Sequence, residues 1–482
     1  MRNIVLKERD ILRKVYRLAR QRRVKLYLVG GYLRDALLKR EKDDPDIDFC
    51  IKRGAVKFGR SIRRQVKAGF VVLDQKHGCC RLVKKLKGKV CTLDFTDFRG
   101  KTLDQDLLHR DFTINAMALD LAMALQDKPA KDLFIDPYAG QKDLRAKLVR
   151  TVNKKSFDDD PLRILRAFSL AAIFGFKIDK ETLRLIKLKK KKLSRVSAER
   201  IRDELFKILD RPDAFKYLLQ LDQLRILSIL LPEIDRMRGV SQGPYHHLDV
   251  WKHTLESVRQ LEILFRERGR NKDIRDYLNQ SISAGRKRRA LIKLGALLHD
   301  IGKPRAKRRR KGKTIFHGHE RIGLKLSEDI ARRLKLSNDE REALRKMVLW
   351  HLRPGYLADN ETLTARARFR YFRDTAGEGV STLLLSIADQ RATRGRLTTS
   401  SSRVHHEETV LSLIREYFRR SREKKLPRLI NGDQLIRRFR LSPSPIIGKI
   451  LSEIEELQAI EKIKTRAQAL KAASILVKKS VV

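Results

Sequence analysis

The stretch that most narrows what this chain can become runs from Leu28 to Phe49 and reads LVGGYLRDALLKREKDDPDIDF. An apolar run from Leu26 to Val29 stops at Gly30-Gly31, a helical stretch from Tyr32 to Lys39 follows, and a second short segment carries Asp46 and Asp48 two residues apart. Strand side chains alternate between faces, so Asp46 and Asp48 are expected to present two carboxylates on one edge of a sheet. Such a pair has few good neighbours except hard divalent cations. Two residues without Cβ at a strand-to-helix turn let backbone N–H groups approach an anion, and the following helix N-terminus adds a favourable dipole. Phosphates held beside two Mg²⁺-binding carboxylates describe nucleotidyl transfer, in which one metal activates the attacking hydroxyl and the other steadies the triphosphate leaving group. Taken singly, a Gly-Gly turn is usually only a turn, and Asp-x-Asp is usually a solvated strand face.

Together and in this order, they resemble the head of the nucleotidyltransferase superfamily that includes class II tRNA nucleotidyltransferases (CCA-adding enzymes) and bacterial poly(A) polymerases. The resemblance continues through HRDFTINAMALDL (His109–Leu121), DPYAGQKDL (Asp136–Leu144), DDDPLRILRAF (Asp158–Phe168) and SRVSAERIRDEL (Ser194–Leu205), and reaches NGDQLI at Asn431. It implies template-independent addition of CMP and AMP, from CTP and ATP, to the 3′ end of tRNA. In that reading Asp46 and Asp48 bind Mg²⁺, and Gly30, Gly31, Arg34 and Asp35 shape the triphosphate site. Arg110, Asp111 and Asn115 hold the nucleotide, and Asp160 with Arg163 choose the base, with Arg166 counted among the nucleotide-binding residues. Related readings from the same resemblance are a CC-adding or A-adding enzyme and a poly(A) polymerase.

Three departures from the family pattern bear on the chemistry. His109 stands where the family usually has a second Arg, and Asp159 replaces a Glu. Between Arg99 and His109 only GKTLDQDLL remains, where CCA-adding relatives generally carry a longer flexible loop. Within the family, a short loop here accompanies addition of the two cytidines alone.

Charge agrees with a polyanionic partner. The chain has 482 residues, 111 Lys and Arg against 59 Asp and Glu, and a formal net charge of +52. Such an excess draws nucleic acid and makes binding salt dependent through counterion release. No apolar run nears the roughly 20 residues of a membrane helix, and MRNIVLKERD lacks the core of a signal peptide, so a cytoplasmic protein is expected. Cys50, Cys79, Cys80 and Cys91 form no C-x-x-C pair and are expected as buried free thiols.

Along the chain, residues 4 to 23, with Ile4, Val5, Ile11, Leu12, Val15, Leu18 and Ala19, show a helical period. Phe70–Val83 and Lys89–Phe98 read as strands joined by a Gly-containing turn, and Asp94 on the second is a candidate third carboxylate. Asp136–Thr151 reads as a turn, a short helix and a strand closing the head. With Pro161 at a helix's first position, Asp160 would be the N-cap and Arg163 would lie near the same face. The bland alternative is that Asp160 caps the helix and Arg163 pairs with it or with phosphate. As a template, Arg163 would donate to a base's acceptors while Asp160 accepts from an exocyclic amine. The run KLKKKKL (Lys187–Leu193) is either a solvated face or a tRNA phosphate contact.

A second constellation comprises His253, His299-Asp300, His319, His351 and Asp389, with His317 as a substitute for His319. Imidazole and carboxylate groups spaced along separate helices can converge on one metal, and Gly302 and Pro304 stop the helix just after His299-Asp300. The order resembles the HD phosphohydrolase domain, in which a divalent transition metal such as Ni, Mn, Co or Fe supports hydrolysis of phosphomonoesters or 2′,3′-cyclic phosphates. Another class of function is thereby kept open, an HD phosphohydrolase with an inactive head. KPRAKRRRKGKT (Lys303–Thr314) is expected as an exposed loop facing RNA. In the tail, a linker is expected near REKKLPRL, and Pro443, Pro445 and Gly448 are expected to break helices.

The expected architecture is an α/β nucleotidyltransferase head (a small mixed sheet with helices) followed by an all-α body including an HD domain. The expected divisions are 1–150 for the head, 151–235 for a nucleotide-selecting and RNA-binding neck, 236–405 for the HD domain and 406–482 for an RNA-binding tail.

Overall fold

The computed structural model describes residues 8–40, 44–86, 88–126, 133–360, 362–423 and 427–481. The chain divides into two compact units, Met1–Ile208 and Leu209–Val482. In the first, seven strands form one sheet: β1 (Tyr27–Val29), β2 (Asp46–Ile51), β3 (Gly69–Asp74), β4 (Cys79–Leu86), β5 (Lys89–Asp97), β6 (Ala118–Asp120) and β7 (Phe134–Ile135). Their spatial order is β3-β4-β5-β2-β1-β6-β7. Only β2 and β5 run parallel, and the remaining neighbours are antiparallel, so the sheet is mixed.

Period-two alternation decides which face of this sheet is the core. On β2, Ile47 and Phe49 are fully buried, and on β5 Leu93 and Phe95 join them, with the Phe49 and Phe95 rings stacked 4.8 Å apart. Helices Arg9–Gln21 and Ala55–Val66 cover that face through Leu12, Val15, Phe58, Ile62 and Val66. Burying one such side chain contributes about 1.5–3 kcal/mol. A slip of one residue would put Asp46 and Asp48 into this core, so the packing fixes the register and leaves the acids on the open face. The expected N-terminal helix forms at Arg9–Gln21, and Ile4 and Val5 lie outside the described residues.

The expected strand after Asp136 forms differently. Leu148–Val149 pairs in parallel with Lys177–Ile178, apart from the seven-stranded sheet, and Phe134–Ile135 is the last strand of that sheet. All four cysteines are free; Cys50, Cys80 and Cys91 are buried and Cys79 is half-buried.

The second unit is mainly helical. Gly379–Ala392 is buried almost all round and packs against Val250–Arg268, Arg288–Leu298 and Ser400–Arg422, as an apolar helix must. No described helix is long and apolar enough to cross a membrane. The basic segment after Asp300 is a hairpin rather than a loop, with strands Arg308–Arg310 and Lys313–Ile315. The expected linker near REKKLPRL includes residues 424–426, which lie outside the described residues. NGDQ forms a capping box, Asn431 accepting from Gln434 N at 2.9 Å and Gln434 Oε1 from Asn431 N at 3.1 Å. Pro445 starts the helix Pro445–Ala459, where its fixed φ is preorganised, and Gly448 continues that helix instead of breaking it.

Candidate active site

Asp46 and Asp48 stand on one face of β2, Asp46 exposed and Asp48 half-buried. β5 runs parallel in register, pairing Asp48 with Asp94. Burial raises the Asp48 carboxyl to about 6, with the Arg110 guanidinium opposing and the neighbouring Asp94 and Asp46 reinforcing the rise. Asp94 is engaged already: Arg81 forks it, Nε to Oδ1 and Nη2 to Oδ2, each at 2.7 Å. Asp46 accepts from the Thr92 hydroxyl. With Asp94 held by Arg81, these three acids are not gathered as a metal-binding triad with ligand atoms within 4.8 Å of one another, whereas two groups in the helical unit are.

The turn before them requires glycine at its first position. Gly30 has φ +74°, and a Cβ there would sit 2.9 Å from Asp48 Oδ2 and 3.1 Å from Arg110 Nη1. Gly31 opens the helix Gly31–Leu37, whose Arg34 and Asp35 are buried. Arg34 donates from Nε and Nη2 to Asp35 Oδ1 and from Nη1 to Asn115 Oδ1 at 2.6 Å. Asn115 in turn donates to Asp111 Oδ1 at 2.9 Å, and Arg166 Nε meets Asp111 Oδ2 at 2.8 Å. Burial would raise the Asp111 carboxyl, but Arg166, the Asn115 amide and the Phe112 N–H outweigh it and hold it below the usual carboxylate range. Five of the residues expected at the nucleotide, spread over some 130 positions of sequence, therefore form one continuous chain of bonds. Arg110 is anchored by Asp106 at 3.2 Å.

The expected Asp160–Arg163 pair is rearranged. The helix begins at Arg163, not at Pro161, and Asp160 Oδ1 accepts from Leu162 N at 3.2 Å, a turn before the helix rather than its N-cap. Asp160 Oδ2 pairs with Arg200 at 2.7 Å. Arg163 is buried and donates to His109 O at 2.7 Å, to Ser156 Oγ at 2.9 Å and, from 3.3 to 3.4 Å, to Ser156 O and Arg110 O. Its guanidinium thus pins the His109–Arg110 backbone that leads into Asp111. His109 and Asp159, both departures from the family pattern, face each other at 3.9 Å. In the lysine run, Lys189 and Lys192 pair with Asp158.

The second cluster lies in the helical unit and has two lobes. His253, His299 and Asp389 form one group, and Asp300, His319 and His351 the other, each with ligand atoms within 4.8 Å of one another. His317 is exposed and belongs to neither. Asp300 stands between the lobes: Oδ2 is 3.3 Å from His299 Nε2 and 3.8 Å from His253 Nε2, while Oδ1 is 3.4 Å from His319 and 3.8 Å from His351. The other ring nitrogens of His299, His319 and His351 face the carbonyls of Ala296, Phe316 and Val348 at 2.7–2.9 Å, which leaves each Nε2 directed inward. Asp300 Oδ1 and Oδ2 and His299 Nε2 are buried without a well-aligned hydrogen-bond partner, as expected of groups built to hold a cation.

Three family models match the chain: a poly A polymerase head domain over residues 26–150, a probable RNA and SrmB-binding site of polymerase A over 175–238, and an HD domain over 250–393. An A-adding tRNA nucleotidyltransferase of Deinococcus radiodurans is 31% identical over 92% of this chain and 93% of its own length. The chain belongs to the tRNA nucleotidyltransferase family. A CC-adding tRNA nucleotidyltransferase of Thermus thermophilus is a further family member, 28% identical over 92% of this chain and 91% of that one. Among solved family structures, the Thermotoga maritima CCA-adding enzyme complexed with tRNA shares the fold with a TM-score of 0.62, 23% identity and coverage of 98% and 97%. The fold of a CCA-adding enzyme with CTP matches with a TM-score of 0.64 at 22% identity, over 97% of this chain and 95% of that one.

Membership makes the chain a nucleotidyltransferase, and both the head and the HD families are metal-dependent. Four residues at the two sites escaped the sequence reading: Arg81, Asp106, Arg200 and Lys303, whose Nζ is 2.7 Å from Asp300 Oδ2. Arg81 carried a legible signal, because β4 and β5 form a hairpin that sets it opposite Asp94.

Proposed function

We propose that the chain adds nucleotides from CTP or ATP to the 3′ end of tRNA without a nucleic acid template. The observation that carries this reading is the Gly30 turn closing on Asp48, with Asp46 beside it on the open face of the sheet. Asp46 and Asp48 would hold Mg²⁺, which supplies activation of the attacking hydroxyl and neutralisation of the triphosphate. Gly30, Gly31, Arg34 and Asp35 shape the triphosphate site, Arg110, Asp111, Asn115 and Arg166 grip the nucleotide, and Asp160 with Arg163 selects the base. Asp94, locked by Arg81, serves as an auxiliary acid. The divisions 1–150, 151–235, 236–405 and 406–482 then correspond to head, neck, HD domain and tail. The enzyme works in the cytoplasm, a reducing compartment in keeping with four free thiols.

A second reading, a specialist for CC or for A alone, is favoured by the short connection before His109. It holds an ordered helix, Leu103–Leu108, capped by Thr102, and Asp106 ties Arg99 N at 3.1 Å to Arg110 at 3.2 Å. Family members of both specialist kinds cover nine-tenths of the chain. For the HD cluster we propose a divalent transition metal, of the Ni, Mn, Co or Fe class, held by His253, His299, Asp300, His319, His351 and Asp389, with phosphoester hydrolysis as its chemistry. Incubating the protein with tRNA lacking its 3′ end, and with tRNA lacking only the terminal A, with each triphosphate singly and together, tests the whole reading. One to three added nucleotides support it and divide full from partial addition; a long A tail would replace it with poly(A) polymerase, and no addition would overturn it.

A further inference from the structure

Between Asp300 and His319 the chain passes through eight Lys and Arg residues and no Asp or Glu. The middle of this segment is a two-stranded hairpin in which Arg308 pairs with Ile315, Arg309 with Thr314 and Arg310 with Lys313. Lys311 and Gly312 at its tip have φ of 47° and 72°, the doubly positive turn that matches strand twist and stiffens a hairpin. Arg308, Arg310 and Lys313 share one face and Arg309 takes the other. All four are exposed, and none of them has an ion-pair partner among the described residues. Three other arginines of the same unit do pair, Arg332 with Glu328, Arg333 with Glu233 and Arg345 with Glu342. The hairpin's cations are left for a partner from outside the chain.

The hairpin is also fastened to the HD cluster. Phe316 follows its second strand, and the Phe316 carbonyl accepts from His319 N at 3.1 Å and faces His319 Nδ1 at 2.9 Å. Lys303 Nζ lies 5.7 Å from the centre of the Phe316 ring and reaches Asp300 Oδ2 at 2.7 Å. The hairpin's second strand thus runs through Phe316 directly into the contacts of His319 and Lys303 with Asp300. A free mononucleotide has too few charges to occupy such an array. A single strand of RNA repeats its phosphates, and cations two residues apart along a strand stand about 6.6–6.8 Å apart, able to engage successive phosphates through the forked guanidinium.

We propose that the hairpin is the RNA-binding arm of the HD centre, whose substrate is the phosphorylated or cyclic-phosphate end of an RNA strand rather than a free nucleotide. This rests on the hydrolytic reading of the HD cluster given above. In the step, a water oxygen bonds to phosphorus as the bond from phosphorus to a ribose oxygen breaks, and a water proton ends on that oxygen. A terminal monoester gives a hydroxyl and inorganic phosphate, and a cyclic phosphate gives a monoester and one hydroxyl.

The test compares the full chain, loaded with metal, with the variant R308Q/R309Q/R310Q/K313Q on a short single-stranded RNA ending in a 3′-phosphate and on 2′,3′-cyclic AMP. The expected result is a fall of about tenfold or more in kcat/KM for the RNA and a salt-dependence slope shallower by about 3, four cations at ~0.7 each, with hydrolysis of 2′,3′-cyclic AMP unchanged. In the metal-free chain, the same RNA carrying a photoreactive 4-thiouridine should cross-link to the peptide containing Arg308–Ile315. Equal rates for variant and wild type on the RNA, equal losses on both substrates, or cross-links confined to other peptides would overturn the inference while leaving the hydrolytic reading standing. If wild type hydrolysed neither substrate, the hydrolytic reading would fall and this inference with it.

Discussion

Gly30 and Gly31 are adjacent and chemically identical, yet the structure predicts opposite outcomes when each becomes alanine. At Gly30 the backbone sits at φ 74° and ψ −141°, a region that costs an L-residue about 1–3 kcal/mol. The new Cβ would also come within 2.9 Å of Asp48 Oδ2 and 3.1 Å of Arg110 Nη1. Neither group yields freely, because Asp48 lies on a strand paired on both sides and Arg110 is anchored by Asp106. The carboxylate or the turn itself must therefore move, and a misplacement of about 1 Å costs catalysis on the order of a hundredfold. At Gly31, the first residue of the helix, the backbone is outside the left-handed region and the Cβ would meet the Arg34 side chain alone, at 3.3 Å from Nη2. Incorporation of labelled CTP and ATP into tRNA lacking its 3′ end, with thermal melting of each variant, measures both effects. Gly30→Ala should lose about two orders of magnitude in incorporation, and Gly31→Ala should stay within a few-fold of wild type. Equal activity of the two variants would refute the close approach between the turn and Asp48.

Other perturbations follow from single contacts. Arg81→Ala removes a cation from beside three carboxylates and should lower the Mg²⁺ concentration for half-maximal incorporation about 2–5-fold, the equivalent of ~0.5–1 kcal/mol for a part-exposed pair; a magnesium titration reads it. Arg200→Ala frees Asp160 and should change the CTP-to-ATP preference by no more than about fivefold, since an exposed pair is worth up to ~1 kcal/mol, as competition between the two triphosphates would record. Arg286→Ala strands the fully buried Glu340, now held by two bonds of 2.6 and 2.9 Å, and should cost about 3–5 kcal/mol in a denaturation measurement. Burial opposes ionisation of Glu340, but Arg286 and the Ser337 N–H outweigh it and depress the carboxyl. Its stabilisation is therefore present above the unfolded value near ~4.3 and lost as pH falls through the lower folded one, a slope that Arg286→Ala should flatten. Asp300→Ala should abolish hydrolysis of 2′,3′-cyclic AMP and spare nucleotide incorporation; loss of both would join the two chemistries in one site.

The head was legible where local rules and global packing agree. Alternation along β2 leaves only one register that buries Ile47 and Phe49, so the acids' common face could be read from six residues. The convergence of the six HD-cluster side chains was legible from residue type and order, but not the division into two lobes around Asp300, which depends on how separate helices pack. The contacts of Arg163 were not legible because a guanidinium near a helix start can face a ligand or the backbone, and only the path of His109–Arg110 beside it decides. Arg308–Ile315 read as a loop because its charge masks a two-residue turn that needs only Lys311 and Gly312 at positive φ. Arg200 lies 40 positions from Asp160, and no local pattern links them.

The account stands on Asp46 and Asp48 as the acids of nucleotidyl transfer. The most direct trial is Asp46→Ala, assayed for incorporation of labelled CTP and ATP into tRNA lacking its 3′ end and, in parallel, for tRNA binding. Incorporation should disappear while binding stays near that of wild type, because Asp46 is exposed on the open face and outside the core that folds the head. Undiminished incorporation would contradict the assignment and remove the head carboxylates from the reaction.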